Sequence, residues 1–357
     1  MTEASTAYRI AVIAGDGVGP EVVRESVKVL DRISTIDPTI GFEFDHLDWG
    51  TERYLRTGSM MPADGLTLLR SYDAILLGAI GTPEVKDYIT LRGLLLKIRF
   101  GLQHYINLRP IRLLPPVTSP LSAGTPSSID MVFVREGSEG EYAGVGDIIA
   151  RGTERETALQ TAVFSRHGTE RVVRWAFEFA RDHGRTLTSV SKANALEYSG
   201  GLWDEVFDEI ADEYPKVTTK RLLVDAAAMF MVREPERFEV VVASNLYADI
   251  LTDLGAGIMG GMGLAPSASL NPERTAPSMF EPIHGSAPDI AGSNQANPIG
   301  SIWSISMMLD HLGYPEWAAA VLGSIEASLG SPVRTRDVGG NATTAEVGDA
   351  IVAHLKL

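Results

Sequence analysis

The sequence predicts an α/β fold built on a mainly parallel sheet with helices on both faces. Three observations predict it. Short apolar runs alternate with amphipathic helical patterns along nearly all of the 357 residues. Most of these runs are continuously apolar, as strands covered on both faces are, rather than alternating in polarity. Two of them, Tyr8–Ala14 and Asp73–Ala79, end at glycines, common punctuation at strand ends. Taken in order, Tyr8–Ala14 reads as a strand that stops at Gly15-Asp16-Gly17-Val18-Gly19-Pro20. Glu21–Ile33 follows as a helix, with Val22, Val23, Val27 and Leu30 at helical spacing. Phe42–Asp48 alternates loosely, as a half-buried strand does, and Asp73–Ala79 is a buried strand ending in glycines. Strands follow at Ile129–Val134, Leu187–Ser191, Arg221–Val224 and Phe238–Ala243. The helix Glu170–Arg181 carries Val172, Val173, Ala176, Phe177 and Ala180 on one stripe. Pro298–Leu312 and Pro315–Leu329 complete the cladding. Met1–Tyr8 is short and polar and is expected to fray. Glu141–Phe164 breaks the rhythm with two β-leaning pieces around a charged link, either a hairpin arm reaching a second subunit or a surface loop.

Composition narrows the function. Acidic residues outnumber basic ones 46 to 31, a net charge of −15. No cation excess is available to displace phosphate counterions, so nucleic acid is not an expected partner. There is no cysteine, which removes disulfides, thiolate nucleophiles and Cys-ligated metals, and suits a reducing cytoplasm. No apolar run approaches the ~18–20 residues of a spanning helix, so no membrane partner is expected. No secretory apolar stretch opens the chain.

Three groups of residues could carry chemistry. Gly15, Gly17 and Gly19 follow a strand and precede a helix, but G-x-G-x-G-P is not the G-x-G-x-x-G dinucleotide spacing. A tight turn explains them as well as a ligand does. Asn245, Asp249 and Asp253 lie four apart, on one face of a helix, and Asp225 ends a predicted strand. These acids form either a solvated face or the oxygen donors of a hard divalent cation. Arg99, Arg109 and Arg135 sit beside apolar residues, where a guanidinium usually has a planar anionic partner. Tyr142 and Lys192 are candidate proton donor and acceptor, although spacing does not assign them.

The ordered stretches GDGVGPEV (Gly15–Val22), LLLKIRFGLQHYINLRP (Leu94–Pro110), VREGSEGEYAG (Val134–Gly144), SVSKANAL (Ser189–Leu196) and VDAAAM (Val224–Met229) resemble the β-decarboxylating dehydrogenases. So do ASNLYADILTDLGAG (Ala243–Gly257), GLAPSASLN (Gly263–Asn271) and FEPIHGSAPDIAGSNQANPIG (Phe280–Gly300). That family comprises isopropylmalate, isocitrate, homoisocitrate and tartrate/D-malate dehydrogenases. The resemblance covers nearly the whole chain. It implies a two-domain, isopropylmalate-dehydrogenase-like, non-Rossmann fold with an intersubunit β-arm at about residues 141–164. The large cofactor-side domain would be 1–106 plus 261–357, the small domain 107–260. It also implies a homodimer with shared active sites.

Residue by residue, the resemblance assigns Arg99, Arg109 and Arg135 to the substrate carboxylates. Asp225, Asp249 and Asp253 become ligands of Mg²⁺ or Mn²⁺, with Asp225 supplied by the second subunit. Tyr142 and Lys192 become the acid–base pair, Lys192 again reaching across. The cofactor is expected to be NAD, held by Val18, His284, Gly285, Ser286, Ala287, Asp289 and Asn297, with Asn194 near the nicotinamide. Asp289 would accept ribose hydroxyls and repel a 2′-phosphate. A potassium requirement stays open. The implied reaction oxidises a hydroxy-dicarboxylic acid with loss of CO₂: Lys192 takes the hydroxyl proton as hydride leaves for NAD⁺, the cation accepts electron density, and Tyr142 protonates the enolate.

Leu95 and Leu96 match the pair that faces the substrate's C3 group in isopropylmalate enzymes. Arg92 stands where those enzymes carry glutamate and tartrate/D-malate enzymes carry tryptophan. It would bind an anionic group on C3 or point to solvent. Gly137 replaces a common asparagine. Glu139–Tyr142, Trp203–Glu205 and Leu270–Arg274 lean toward the tartrate/D-malate branch. Tartrate or D-malate is therefore the expected substrate, with isopropylmalate or a malate bearing a polar C3 group as the alternative. A catalytically inactive regulatory subunit would have lost acid–base or cation residues, and none is missing. A structural metal protein leaves HGSAPD unexplained.

Overall fold

A computed structural model of the chain describes residues 6–122 and 124–357. The chain divides into two units, Met1–His104 with Arg112–Pro126 and Ala256–Leu357, and Tyr105–Ile111 with Ser127–Gly255. The expected boundaries thus shift at three places, the return to the first unit coming at Ala256 rather than residue 261. The first falls two residues earlier, and residues 112–126, expected in the small domain, belong to the first unit. Side-chain ties explain the second shift: Arg112 pairs with Glu326 at 2.9 Å, and Ser119 donates to the Ile258 carbonyl at 2.6 Å.

The first unit begins with β1 (Thr6–Gly15), α1 (Gly19–Ile36), β2 (Ile40–His46), α2 (Thr51–Thr57), α3 (Gly65–Leu69) and β3 (Ala74–Ala79). Of the residues expected to fray, Thr6–Tyr8 belong to β1, and the rest of Met1–Tyr8 lies outside the described residues. Then α4 (Asp87–Thr90), a single π turn (Leu91–Leu95) and α5 (Leu96–Gly101) run on continuously. β1 pairs in parallel with β2 and β3. The chain therefore reverses its winding direction at β1, and the β1/β3 carboxyl ends form a switch-point crevice, the preferred ligand position in such sheets.

The second unit holds β4 (Ile106–Arg112, its last residue belonging to the first unit), β5 (Asp130–Glu136), β6 (Gly140–Ile149), β7 (Thr157–Val163), α6 (Arg166–Asp182), β8 (Leu187–Ser191), α7 (Glu197–Glu213), β9 (Thr219–Leu223), α8 (Val224–Arg233), β10 (Val240–Ala243) and α9 (Asn245–Ile258, its last turn in the first unit). Its strands run β4-β5-β10-β8-β9, with β5, β10, β8 and β9 parallel. The five-residue stripe expected on α6 is wholly buried. β6 and β7 form a separate antiparallel ribbon that exposes Val145, Ile149, Leu159 and Val163. The ambiguous Glu141–Phe164 segment is thus a hairpin.

The chain returns to the first unit as β11 (Pro266–Leu270), β12 (Ser278–Pro282), α10 (Ile299–Leu312), α11 (Pro315–Gly330) and α12 (Thr344–His354). β12 joins β3 in parallel and β11 joins β12 antiparallel. α10 buries residues all around its circumference, as a central helix does. Thr343 and Glu346 form a capping box on α12.

A buried imidazole gives this unit a pH dependence. His104 is fully buried. Its Nε2 donates to the Pro277 carbonyl at 2.7 Å, and burial pushes its pKa down to about 4, aided by nearby Arg99. The unfolded chain takes up this proton near pH 6.5. The contribution is therefore complete above that pH and is lost as pH falls through 4, about 3 kcal/mol in all. Urea unfolding between pH 7 and 4 should show that decline. His104→Gln, which keeps a donor for Pro277, should remove this part of the slope.

Candidate active site

In the second unit the chemistry-bearing residues follow the carboxyl ends of parallel strands. Arg135 lies near the end of β5, Lys192 follows β8, Asp225 follows β9, and Asn245 opens α9 after β10. Asp225 was expected to end a strand; it instead sits in the first turn of α8, where a carboxylate suits the helix dipole.

Asp249, one turn into α9, is the centre of a polar cluster. Its carboxylate accepts from Tyr142 Oη at 2.7 Å and from Arg135, and it pairs with Arg109 at 3.4 Å. Both guanidiniums are nearly buried, and both are held by neutral oxygens as well. Asn245 Oδ1 takes Arg135 Nε at 3.0 Å and a terminal nitrogen at 2.7 Å. Asn107 Oδ1 takes Arg109 Nε at 2.7 Å, and Thr252 Oγ1 takes its terminal nitrogen at 2.6 Å. Two cations thus face the Asp249 carboxylate, and Asp253, one turn along, lies within their field. Burial, and then Asp249, push the Tyr142 hydroxyl up, so it is held as a proton donor. One turn along α9, Asp253 is pushed up by burial, against the pull of Arg109.

Lys192 donates to Asp225 at 2.8 Å, which holds the Asp225 carboxyl below its usual range. This pair does not complete a carboxylate triad with Asp249 and Asp253. Among the described residues, no three acidic or imidazole side chains of one chain come together as a metal site. Asn194 is exposed just beyond Lys192.

In the first unit Arg99 is buried on α5 and pairs with buried Glu281 of β12 at 2.5 Å. Ser269 donates to the same carboxylate at 3.1 Å. Arg92 is exposed on the π turn, Leu95 is half-buried and Leu96 is buried.

A cavity of about 750 Å³ opens in the first unit beside the β1 and β12 carboxyl ends. Val18, His284, Gly285, Ala287, Ile290 and Asn297 line it, as do Arg336 and Asp337, which the sequence reading did not single out. Ser286 is buried against the glycine turn, and Asp289 is exposed beside Ile290. His284 Nδ1 donates to the Gly285 carbonyl at 2.9 Å. Its Nε2 is buried without a partner, and burial pushes its pKa down. His284 is thus a neutral imidazole of the cavity lining with one unmet acceptor.

The glycine turn acts as a joint. Gly15 and Gly17 have positive φ, and a Cβ on Gly17 would lie 2.0 Å from the Ser286 carbonyl oxygen. Val18 N donates to that oxygen, Gly19 N to Asp16, and Glu21 N to Val18, while Pro20 has no N–H. The N–H groups that open α1 are therefore spent within the protein, so the dinucleotide cradle of a glycine-rich helix start is not built here. Asp16 completes the joint by accepting from Thr51 N, Thr51 Oγ1 and Gly81 N at 2.7–2.8 Å.

The isocitrate/isopropylmalate dehydrogenase family model matches residues 9–351. The chain belongs to the isocitrate/isopropylmalate dehydrogenase family. It is 48% identical over 350 residues to a probable tartrate dehydrogenase/decarboxylase of Bacillus subtilis, covering 98% of each chain. It is 49% identical over 346 residues to a 3-isopropylmalate dehydrogenase of Thermobifida fusca, covering 96% of each. Among solved structures, isocitrate dehydrogenase from Methylococcus capsulatus superimposes with a TM-score of 0.89 at 34% identity, covering 98% of this chain and all of the other. Membership of this family makes the chain an oxidoreductase. Glu281, Asn107 and Thr252, which set the arginines of this family member, escaped the sequence reading. Glu281 had left a trace, an acid between Phe280 and Pro282 in an otherwise apolar strand.

Proposed function

We propose that the chain is an NAD- and Mg²⁺/Mn²⁺-dependent dehydrogenase that oxidatively decarboxylates a (2R)-malate-type hydroxy acid, with tartrate or D-malate as leading substrates. The observation that carries this is the convergence of Arg109, Arg135 and Tyr142 on Asp249. Such a cluster offers two forks for carboxylates, a proton donor, and hard oxygens at Asp249 and Asp253 for a cation. The cavity volume, its apolar lining and the unmet acceptor of His284 fit an adenine nucleotide. A divalent cation, when bound, supplies Lewis-acid polarisation of the substrate oxygens, and NAD the hydride acceptor.

The protein's own residues then do the following. Arg109 and Arg135 bind and orient the two carboxylates, and the sequence motif assigns Arg99 to the same substrate. With Asp225 engaged elsewhere Lys192 loses its counterion, and as the neutral amine its Nζ takes the proton of the C2 hydroxyl as the C2 hydride departs. The C3–carboxylate bond breaks, CO₂ leaves, and the electron pair stays on C3 and the C2 oxygen as an enolate. Tyr142 Oη delivers its proton to C3. Positioning and charge stabilisation supply most of the rate.

Several assignments follow from this reading. Asp225 and Lys192 serve the site of a second copy in a homodimer. Exposed apolar Met229, Val232 and Ile250 and the ribbon residues Val145, Ile149 and Leu159 support such an association. Asp289 selects NAD, so Asp289→Lys with Ile290→Tyr should raise the KM for NAD at least tenfold and bring measurable use of NADP, read by initial rates with each nucleotide. Potassium dependence is tested by the same assay, and a cytoplasmic setting goes with the cysteine-free composition.

The relatives carry tartrate and isopropylmalate names at nearly equal identity, and the Leu95–Leu96 pair favours isopropylmalate as the second reading. Initial rates with D-malate, tartrate, isopropylmalate and isocitrate test the choice. On that panel Arg92→Ala should shift the ranking by roughly tenfold if Arg92 reads a C3 group; an unchanged ranking assigns it to solvent.

A further inference from the structure

The segment Ser286–Asn294 borders the cofactor cavity and has an expensive backbone. Ala287 and Asn294 adopt φ of 40° and 57°, and Gly292 has φ 75°. A non-glycine residue in the left-handed region costs on the order of 1 kcal/mol and persists only where its surroundings dictate it. The segment's ends are tied by backbone bonds, Val18 N to the Ser286 carbonyl and Thr344 N to the Asn294 carbonyl, both at 2.9 Å. Its middle is tied by one side chain of α1. Glu21, 8% exposed, accepts from Gly292 N at 2.5 Å through Oε1. Its second oxygen is buried with no hydrogen-bond partner. A carboxylate kept this far from water is costly unless its geometry serves something.

We propose that Glu21 is a positioning residue for the cofactor. Its carboxylate clamps Gly292 and so sets the turn that presents Ala287 and Ile290 to the cavity and Asp289 to its rim. Packing agrees with this. Val18 and Val22, on the same end of α1, form a small core with Ala296 against which Ala287 and Ile290 rest. Glu21 does not line the cavity and acts only through the loop. The inference rests on the NAD reading for its consequence, but not for the clamp itself.

The test uses the full-length protein and the variants Glu21→Ala and Glu21→Gln. Amide hydrogen exchange, without nucleotide, reads the clamp: Glu21→Ala should accelerate exchange at Gly292 at least tenfold, and Glu21→Gln, whose amide oxygen can still accept, much less. NAD titration and initial rates read the consequence. In Glu21→Ala the Kd and KM for NAD should rise at least tenfold, while kcat and the hydroxy-acid KM stay within about twofold. Glu21→Gln should recover most of the nucleotide affinity. Unchanged exchange at Gly292 in Glu21→Ala overturns the clamp. Accelerated exchange with unchanged NAD affinity overturns its positioning role. A loss of kcat and of melting temperature together with a rise in both KM values also overturns it, by making Glu21 a general stability residue. Failure of the wild-type protein to bind NAD sinks the functional reading instead, and leaves the exchange result to judge the clamp.

Discussion

Replacing Lys192 with methionine should lower kcat by ~10²–10⁴-fold, the usual worth of a positioned general base. Methionine keeps the apolar stem and removes the amine that donates to Asp225. Nucleotide affinity should hardly move, because the cavity proposed for NAD is lined by residues of the other unit. Asp225 gives a second, independent signature. Its carboxyl is held below the usual range chiefly by the hydrogen bond from Lys192, so in the variant its pKa rises and it protonates at a higher pH than in the wild type. A carboxylate titration followed by NMR checks the direction. Full activity in Lys192→Met would remove Lys192 from the mechanism.

Asp249→Asn is expected to impair cation binding as well as turnover. One carboxylate is the shared partner of Arg109, Arg135 and Tyr142, and asparagine offers those guanidiniums a neutral oxygen of the same size. The cluster then gains net positive charge, which repels the cation that Asp249 and Asp253 are proposed to hold. The Mn²⁺ concentration for half-activation should rise by at least ~10², and kcat should fall by a similar factor, since removing one electrostatic stabiliser costs roughly 10²–10³. Tyr142 should respond too. After burial, Asp249 is the main influence that pushes its hydroxyl up, so the pKa should drop in the variant while burial still keeps it from falling far. Ultraviolet titration of tyrosinate reads that shift without any substrate.

Much of this was legible in the chain. The α6 stripe from Val172 to Ala180, the buried run at Asp73–Ala79 and the Asn245–Asp249–Asp253 spacing obey local periodicity, which needs no knowledge of partners. What was not legible depends on contacts distant in sequence. Glu281 lies 182 residues from Arg99, and Asn107 and Thr252 are ordinary polar residues until β4 and α9 bring them to Arg109. Asp225 moved from strand end to helix start because the apolar run through Val224 reads the same in either state. Residues 112–126 changed units because their ties are to Glu326 and Ile258, far along the chain. The glycine turn was ambiguous for a different reason: the Ser286 carbonyl against Gly17 and the occupied N–H groups of Val18, Gly19 and Glu21 distinguish a joint from a phosphate cradle.

The most direct test of the central claim is a stoichiometry. Purified protein is incubated with D-malate or tartrate, NAD and Mn²⁺, and NADH and CO₂ are measured together, with EDTA and NADP as the comparison arms. The account requires one NADH for each CO₂, loss of both on chelation, and at least tenfold poorer turnover with NADP. NADH without CO₂, or turnover untouched by the chelator, would contradict it.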